Sequence, residues 1–407
     1  MQNTTGNCGK CGICLTVCPV FKVLKEEQAS PRARVQLIRA YEDKKLPSSP
    51  LLKELISKCV MCGSCAAICP SGVDHNSKFM EMRSELIAAE GDRVEIRGLV
   101  YLLAKEQRLR LSMGMARMGQ AVLPDFLAKK YKLGNIAVTN YPKLNKKPFR
   151  STIPEEIAPE GEERGTVLYF TGCATNYIFD QTGFATISLL SKMGYRVITP
   201  KKQCCCSIPM LYHGGVKEAQ ANIQNNVACF DRESIDAILV DCPTCGSALK
   251  KEFPAMMRKF GLDAEAADRI AAKTQDLMSF VYANLEHLNF EETNPACEKN
   301  VTYHLPCHLK NSFVSAERLL DAIPAIEYTP AANGADCCGG GGTFFYEYPD
   351  VSKKMASTKI ESARETGAAL WLTDCPVCRI NLEGQLDDDD TLTMMHPAVY
   401  LLSLLQK

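Results

Sequence analysis

The 407-residue chain has no run of 18 or more apolar residues, so nothing in it reads as a membrane span. No apolar segment follows the polar start MQNTTGN, and the opening residues give no sign of a secretory signal. A G-x-G-x-x-G after a strand-like run and a P-loop are both missing, so no flavin, nicotinamide or nucleotide site is expected within the chain. Charge of one sign is also missing: 47 basic residues balance 47 acidic ones, leaving no field for nucleic acid.

What is abundant is cysteine. Twenty-one thiols in a chain that is 46% hydrophobic suit two or three cored domains rather than a small disulfide-stapled one. The expected compartment is reducing and cytosolic. Most thiols then serve as metal ligands and a minority pack in cores; Cys229 and Cys297, which lie outside every pattern described below, are expected to be core or surface thiols.

Cys8-x2-Cys11-x2-Cys14-x3-Cys18-Pro19 returns as Cys59-x2-Cys62-x2-Cys65-x3-Cys69-Pro70. In such a run three thiolates hold one [4Fe-4S] cube and the fourth, next to the proline, reaches the neighbouring cube. The expected sets are Cys8, Cys11, Cys14 and Cys69 for one cluster, and Cys59, Cys62, Cys65 and Cys18 for the other. Structural zinc favours separated pairs and leaves the trailing Cys-Pro unexplained; a thioredoxin-like redox pair is the other alternative. Helices are expected from Ser30-Pro31, over Leu51–Lys58 and over Asn76–Ala89, closing a domain at 1–92.

Residues 98–134 carry seven basic side chains against two acidic ones. This stretch reads as a helical linker with a solvated basic face, or as a surface for an anionic membrane or a partner subunit. Pro142, Pro148 and Pro154 continue it as an extended connector, so that 93–163 form a basic helical and proline-rich linker.

From Thr166 the chain repeats itself. Cys173, Cys205-Cys206 and Cys242-x2-Cys245 are matched by Cys307, Cys337-Cys338 and Cys375-x2-Cys378, with 31 and 35 intervening residues in the first copy and 29 and 36 in the second. VLYF, YRVITP and AILVD read as strands, as do VTYH, IEYTP and LWLTD. Helical stretches at Gly183–Met193, Val216–Phe230 and Val351–Glu365 alternate with them. Two α/β domains, 164–290 and 298–407, are expected to gather five thiolates each at the strand ends. Asp241 and Asp374 precede the C-x-x-C pairs identically. His304 and His308 flank Cys307, either as ordinary satisfied side chains or as groups that hydrogen-bond a sulfur or donate a proton in disulfide chemistry. The run Asp387–Asp390 reads as a solvated loop.

The double C…CC…C-x-x-C pattern behind two C-x2-C-x2-C-x3-C-P runs resembles the CCG-domain iron–sulfur subunits of glycolate oxidase, some lactate dehydrogenases and anaerobic glycerol-3-phosphate dehydrogenase. It also resembles the iron–sulfur subunit of heterodisulfide reductase. The resemblance implies an α+β protein with an N-terminal helical ferredoxin-like domain holding two [4Fe-4S] clusters, a helical linker and two tandem α/β CCG domains. It further implies one or two clusters, cubane or non-cubane, on Cys173, Cys205, Cys206, Cys242 and Cys245 and on Cys307, Cys337, Cys338, Cys375 and Cys378.

The function implied is electron transfer from an FAD-containing 2-hydroxyacid dehydrogenase subunit (glycolate or lactate, or glycerol-3-phosphate) towards quinone or another acceptor. It would take place in the cytoplasm or peripherally at the inner membrane. The alternative is disulfide reduction at the CCG clusters. One departure stands out: Cys337-Cys338-Gly339 has Cys204-Cys205-Cys206-Ser207 as its counterpart, which leaves Cys204 extra and puts serine where glycine tolerates positive φ.

Overall fold

The computed structural model describes residues 7–310, 313, 316–387 and 390–405; residues 388 and 389 of the acidic run lie outside them. The N-terminal helices begin where local chemistry allows. Ser30 Oγ accepts from the Ala33 N–H at 3.0 Å ahead of Pro31, opening the helix Pro31–Glu42. Ser49 does the same for Pro50–Ser57, through the Leu52 N–H at 3.2 Å. Asp74 caps the helix His75–Glu90. Buried Arg34 donates to the Leu55 carbonyl at 2.9 Å and to that of Lys58, fixing the turn that delivers Cys59.

Residues 98–134 are not one helix. Val94–Leu103 and Glu106–Val122 are separated at Lys105, which is extended (φ −141°). Glu106 is the reason: it pairs with buried Arg150 and accepts from Tyr177 Oη at 2.7 Å, so the second helix starts anew from an anchored residue. Beyond Asp125–Lys130 lies a hairpin of β1 (Lys132–Leu133) and β2 (Ile136–Ala137). The connector is drawn inward as well. Phe149 is fully buried against Gly183, and β3 (Glu156–Ile157) adds an antiparallel edge strand to the first sheet.

That sheet has the order β3-β5-β4-β6-β7, with β4 Gly165–Phe170, β5 Tyr195–Ile198, β6 Ala237–Val240 and β7 Thr274–Asp276. Strands β4 to β7 run parallel, with Val167 beside both Val197 and Ala237. The second sheet is parallel throughout and ordered β9-β8-β10-β11: Glu327–Tyr328, Asn300–Tyr303, Leu370–Leu372, Thr393–Met395. Its order repeats that of β5-β4-β6-β7. The expected strands are present, and β3, β7 and β11 join them. The first sheet is covered on both faces, so VLYF is a continuous apolar run rather than an alternating one.

The two sheets share one apolar core. Val167, Tyr169, Leu239, Val301, Tyr303, Leu372 and Leu401 belong to it, and the C-terminal helix Pro397–Leu405 packs on the first copy's helix Asp180–Lys192. A second core joins the first copy to the ferredoxin helices.

Candidate cluster sites

Both N-terminal cysteine runs adopt the same backbone. Lys10 and Met61 have φ 59° and 54°, and Gly12 and Gly63 have φ 83° and 77° before the short helices Ile13–Thr16 and Ser64–Ala67. Left-handed residues at matched places turn N–H groups towards the thiols, and the Met61 N–H lies 3.4 Å from Cys59 Sγ. Cys18, Cys59, Cys62 and Cys65 line one cavity beneath Pro19, so the structure brings Cys18 to the second run. On the other side Cys8, Cys11 and Cys14 adjoin; a Cβ on Gly9 would stand 3.9 Å from Ser71, just past Cys69-Pro70. Cys11 is exposed. Burial and like charge push Cys14 up to about 11 and Cys62 up to about 12.

The ten downstream thiols form two chains of contacts in the same order. Cys173, Cys205, Cys206, Cys245 and Cys242 follow one another in the first copy, and Cys307, Cys337, Cys338, Cys378 and Cys375 in the second. Hydrogen bonds from Cys205 and Cys245 draw Cys206 down to about 6. Those from Cys307 and Cys338 draw Cys337 down, and that from Cys378 draws Cys375 down, while Cys173, Cys205, Cys245, Cys307, Cys338 and Cys378 are pushed up. Five thiols packed this closely cannot all ionise by themselves, and a bound cation is what lets them. In the second copy the Gly339 and Gly340 N–H groups point at Cys337 Sγ and Cys338 Sγ, at 3.4 and 3.3 Å.

Cys204 stands apart. Its N–H donates to Asn226 Oδ1 at 2.9 Å and its Sγ faces Asn222 and Asn226. Ser207 takes φ 74° where Gly339 takes 81°, which sets Cys205-Cys206 in register with Cys337-Cys338. Cys229 and Cys297 lie away from both sites: Cys229 is half-buried beside Asn225, and Cys297 donates to Ser403 Oγ at 3.1 Å.

Both sites open on one cavity of about 130 Å³, lined among others by Cys173, Cys206, Cys242, Cys307, Cys338 and Cys375. Cys59 reaches the same cavity, and Cys62 shares a cleft with Cys307 and Cys337, so the second ferredoxin run abuts the second copy. Gly341, with φ 48°, permits this approach, because a Cβ there would meet Val60 at 3.1 Å. Buried Arg83 donates to the carbonyls of Ser57 (2.7 Å), Cys59 (2.6 Å) and Tyr212 (3.3 Å), tying the run to the first copy.

Behind each C-x-x-C lies a matched pair that sequence reasoning left without a role. Tyr169 Oη donates to Asp241 Oδ2 at 2.5 Å, joined by Thr175 Oγ1 at 2.6 Å; Tyr303 Oη donates to Asp374 Oδ2. Burial raises both carboxyls to about 6. The signal was present in the repeat, since each tyrosine stands four residues before Cys173 or Cys307. Lys359 was also missed. Its buried amine approaches the second site from the helix Pro349–Arg364.

The cysteine-rich domain CCG matches residues 167–250 and again 301–383, and the 4Fe-4S dicluster domain matches 4–73. The chain is 27% identical to a probable glycolate oxidase iron-sulfur subunit of Bacillus subtilis, over 98% of its own length and 93% of that protein. It is 30% identical to lactate utilization protein A of Bacillus licheniformis, over 58% of this chain and 99% of that one. It is 23% identical to a subunit of the dihydromethanophenazine:CoB–CoM heterodisulfide reductase of Methanosarcina acetivorans, over 95% of this chain and 89% of that one.

Proposed function

We propose, of a chain that belongs to the family of CCG-domain iron–sulfur proteins and carries iron–sulfur clusters, that it is the electron-transfer subunit of a flavoprotein 2-hydroxyacid dehydrogenase. Glycolate or lactate is the favoured substrate of the partner, with glycerol-3-phosphate next. The observation that carries this reading is the unbroken sequence of thiol groups from exposed Cys11, through Cys14, Cys65 and Cys62, to Cys337 at the shared cavity.

The ligand sets proposed are those of the sequence analysis, with crossed use of Cys18 and Cys69. The clusters, when bound, pass electrons one at a time, whereas oxidation of a hydroxy acid removes a hydride and belongs to the partner's FAD. This chain's residues orient the thiolates by N–H groups and seal the path between domains with Arg83, Gly341 and His308. Acceptor reduction, of quinone or another oxidant, is proposed to take place at the shared cavity.

No described helix is long and apolar enough to cross a membrane. The proposed location is the cytoplasmic side, peripheral on the inner membrane. The helix Glu106–Val122 supports this, because its outward face carries Leu111, Met115, Met118 and Val122, 65–80% exposed, with Arg108, Arg110 and Arg117 on its flanks.

The test is reconstitution. The isolated chain oxidises no lactate or glycolate with an artificial acceptor, and its clusters become reduced by hydroxy acid only after the flavoprotein is added. Oxidation by the chain alone overturns the proposal. One observation favours a second reading: both CCG sites face a single cavity, as a disulfide bridging two metal sites would require. Reduction of a disulfide by the dithionite-reduced chain, without any hydroxy acid partner, would select that reading.

A further inference from the structure

The two CCG sites are alike in their thiols and unlike in what stands behind them. His304 directly follows the β8 strand, at the place Phe170 holds at the end of β4. Its ring is 1% exposed, and neither Nδ1 nor Nε2 has a hydrogen-bond partner. The Gly334 carbonyl lies nearby but is already taken, accepting from the Leu305 N–H at 3.1 Å and from Lys359 Nζ at 2.8 Å. An orphaned imidazole at such depth has lost the hydration of its polar atoms with nothing in return, unless something fills the gap. By contrast His308, four residues on, reaches Thr244 Oγ1 and the Met61 carbonyl.

What the His304 ring faces is specific. One of its nitrogens, Cys338 Sγ and Cys378 Sγ all lie within 4.8 Å of one another, the spacing of donors around one metal ion. A neutral imidazole lone pair set against two thiolates gains nothing by itself. With iron between them all three become ligands, imidazole being a good donor to iron. Lys359 adds a second difference between the copies. Its amine donates to the Asn333 and Gly334 carbonyls at 2.6 and 2.8 Å and sets its charge beside Cys337, Cys338 and Cys378; in the first copy the corresponding helix instead turns neutral Asn226 to the cysteine segment.

We infer that His304 is a sixth protein ligand at the second CCG site, binding iron through an imidazole nitrogen beside Cys338 and Cys378, so that the two copies hold chemically different centres. The inference rests on the proposal that this site holds an iron–sulfur cluster. A nearby cation raises a cluster's potential, and Lys359 supplies one at this site alone, so the second site is the electron sink of the pair.

The experiment uses the anaerobically purified full chain, with 14N- or 15N-labelled histidine, and pulsed EPR on the signal that Cys338→Ser abolishes. A strong, isotope-dependent nitrogen coupling is expected, lost in His304→Phe while iron content stays the same and the ferredoxin signals persist. The labelled wild-type protein gives its own answer should the variant fail to fold. A signal without histidine coupling, or with only the weak coupling of an imidazole outside the coordination sphere, overturns the inference and leaves the cluster assignment standing. Iron content unchanged in Cys338→Ser overturns both.

Discussion

His308 Nε2 lies 3.3 Å from the carbonyl oxygen of Met61, the left-handed residue between Cys59 and Cys62. Its Nδ1 lies 3.0 Å from Thr244 Oγ1, so one imidazole holds the second copy, the first copy and the second ferredoxin run together. His308→Ala is expected to leave iron content intact, to broaden the EPR signal of the cluster on the Cys59 run, and to slow electron delivery to the acceptor several-fold. An unchanged rate would show that the junction does not set the path.

The crossed ligand sets can be checked by pairs of variants. Cys69→Ser should disturb the same reduced EPR signal as Cys8→Ser, and Cys18→Ser the same one as Cys59→Ser. The cavity shared by Cys18, Cys59, Cys62 and Cys65 argues directly for the second pair. If Cys69→Ser matched Cys59→Ser, the assignment would be wrong.

Cys204 and Cys206 should behave oppositely. Cys206→Ser removes a central member of its thiol chain, and loss of iron at the first site is expected. Cys204→Ser alters only the contacts with Asn222, Asn225 and Asn226, and iron should stay within a few per cent of wild type. Cys338→Ser should lose iron at the second site with the ferredoxin signals unaffected.

Backbone strain gives a prediction on stability. Gly339→Ala would force a Cβ to 2.8 Å from the Ser352 carbonyl at φ 81°, at a cost of about 2–3 kcal/mol. Ser207 already bears positive φ. Ser207→Gly relieves about 1 kcal/mol of strain, partly offset by the greater freedom of glycine in the unfolded chain. Thermal midpoints of the holoprotein should therefore fall clearly for the first variant and change little or rise for the second.

The outward stripe on Glu106–Val122 predicts binding to vesicles. Co-sedimentation with phosphatidylglycerol-containing vesicles should exceed that with neutral phosphatidylcholine and weaken as salt rises. Met115→Glu with Met118→Glu should abolish it without lowering stability, since both side chains are exposed. If those variants instead abolish binding of the flavoprotein while vesicle binding is nil, the face is a subunit interface.

Much of this architecture could be read from the sequence because cysteine spacing and strand periodicity are local signals. Cys173 and Cys307 each follow a strand that the apolar runs VLYF and VTYH announce, and the duplicated spacing exposes the repeat. What stayed hidden depends on burial by distant residues. β7 is Thr-Gln-Asp, with no apolar run to mark it; it pairs with β6 because that strand's edge is available. Phe149 and Arg150 sit in a stretch that reads as a solvated connector, and only Gly183, Glu106 and Asn176, far along the chain, make them core. The basic composition of 98–134 concealed that the outward face of its main helix is apolar. Lys359 reads as one more surface lysine in a helix, and nothing nearby in sequence shows that its amine ends under a cysteine site.

The packing of the helix Pro397–Leu405 on Asp180–Lys192, with both sheets contributing to one core, makes the duplicated half of the molecule a single cooperative unit. Two copies that could each have melted alone now share the side chains that would separate them, so partial opening of either exposes the apolar face of both. Metal loss at one site is therefore a stability event for the other. A chain stripped of iron at Cys206 should unfold in one transition with its neighbour, and hydrogen exchange in β4 and β8 should rise together.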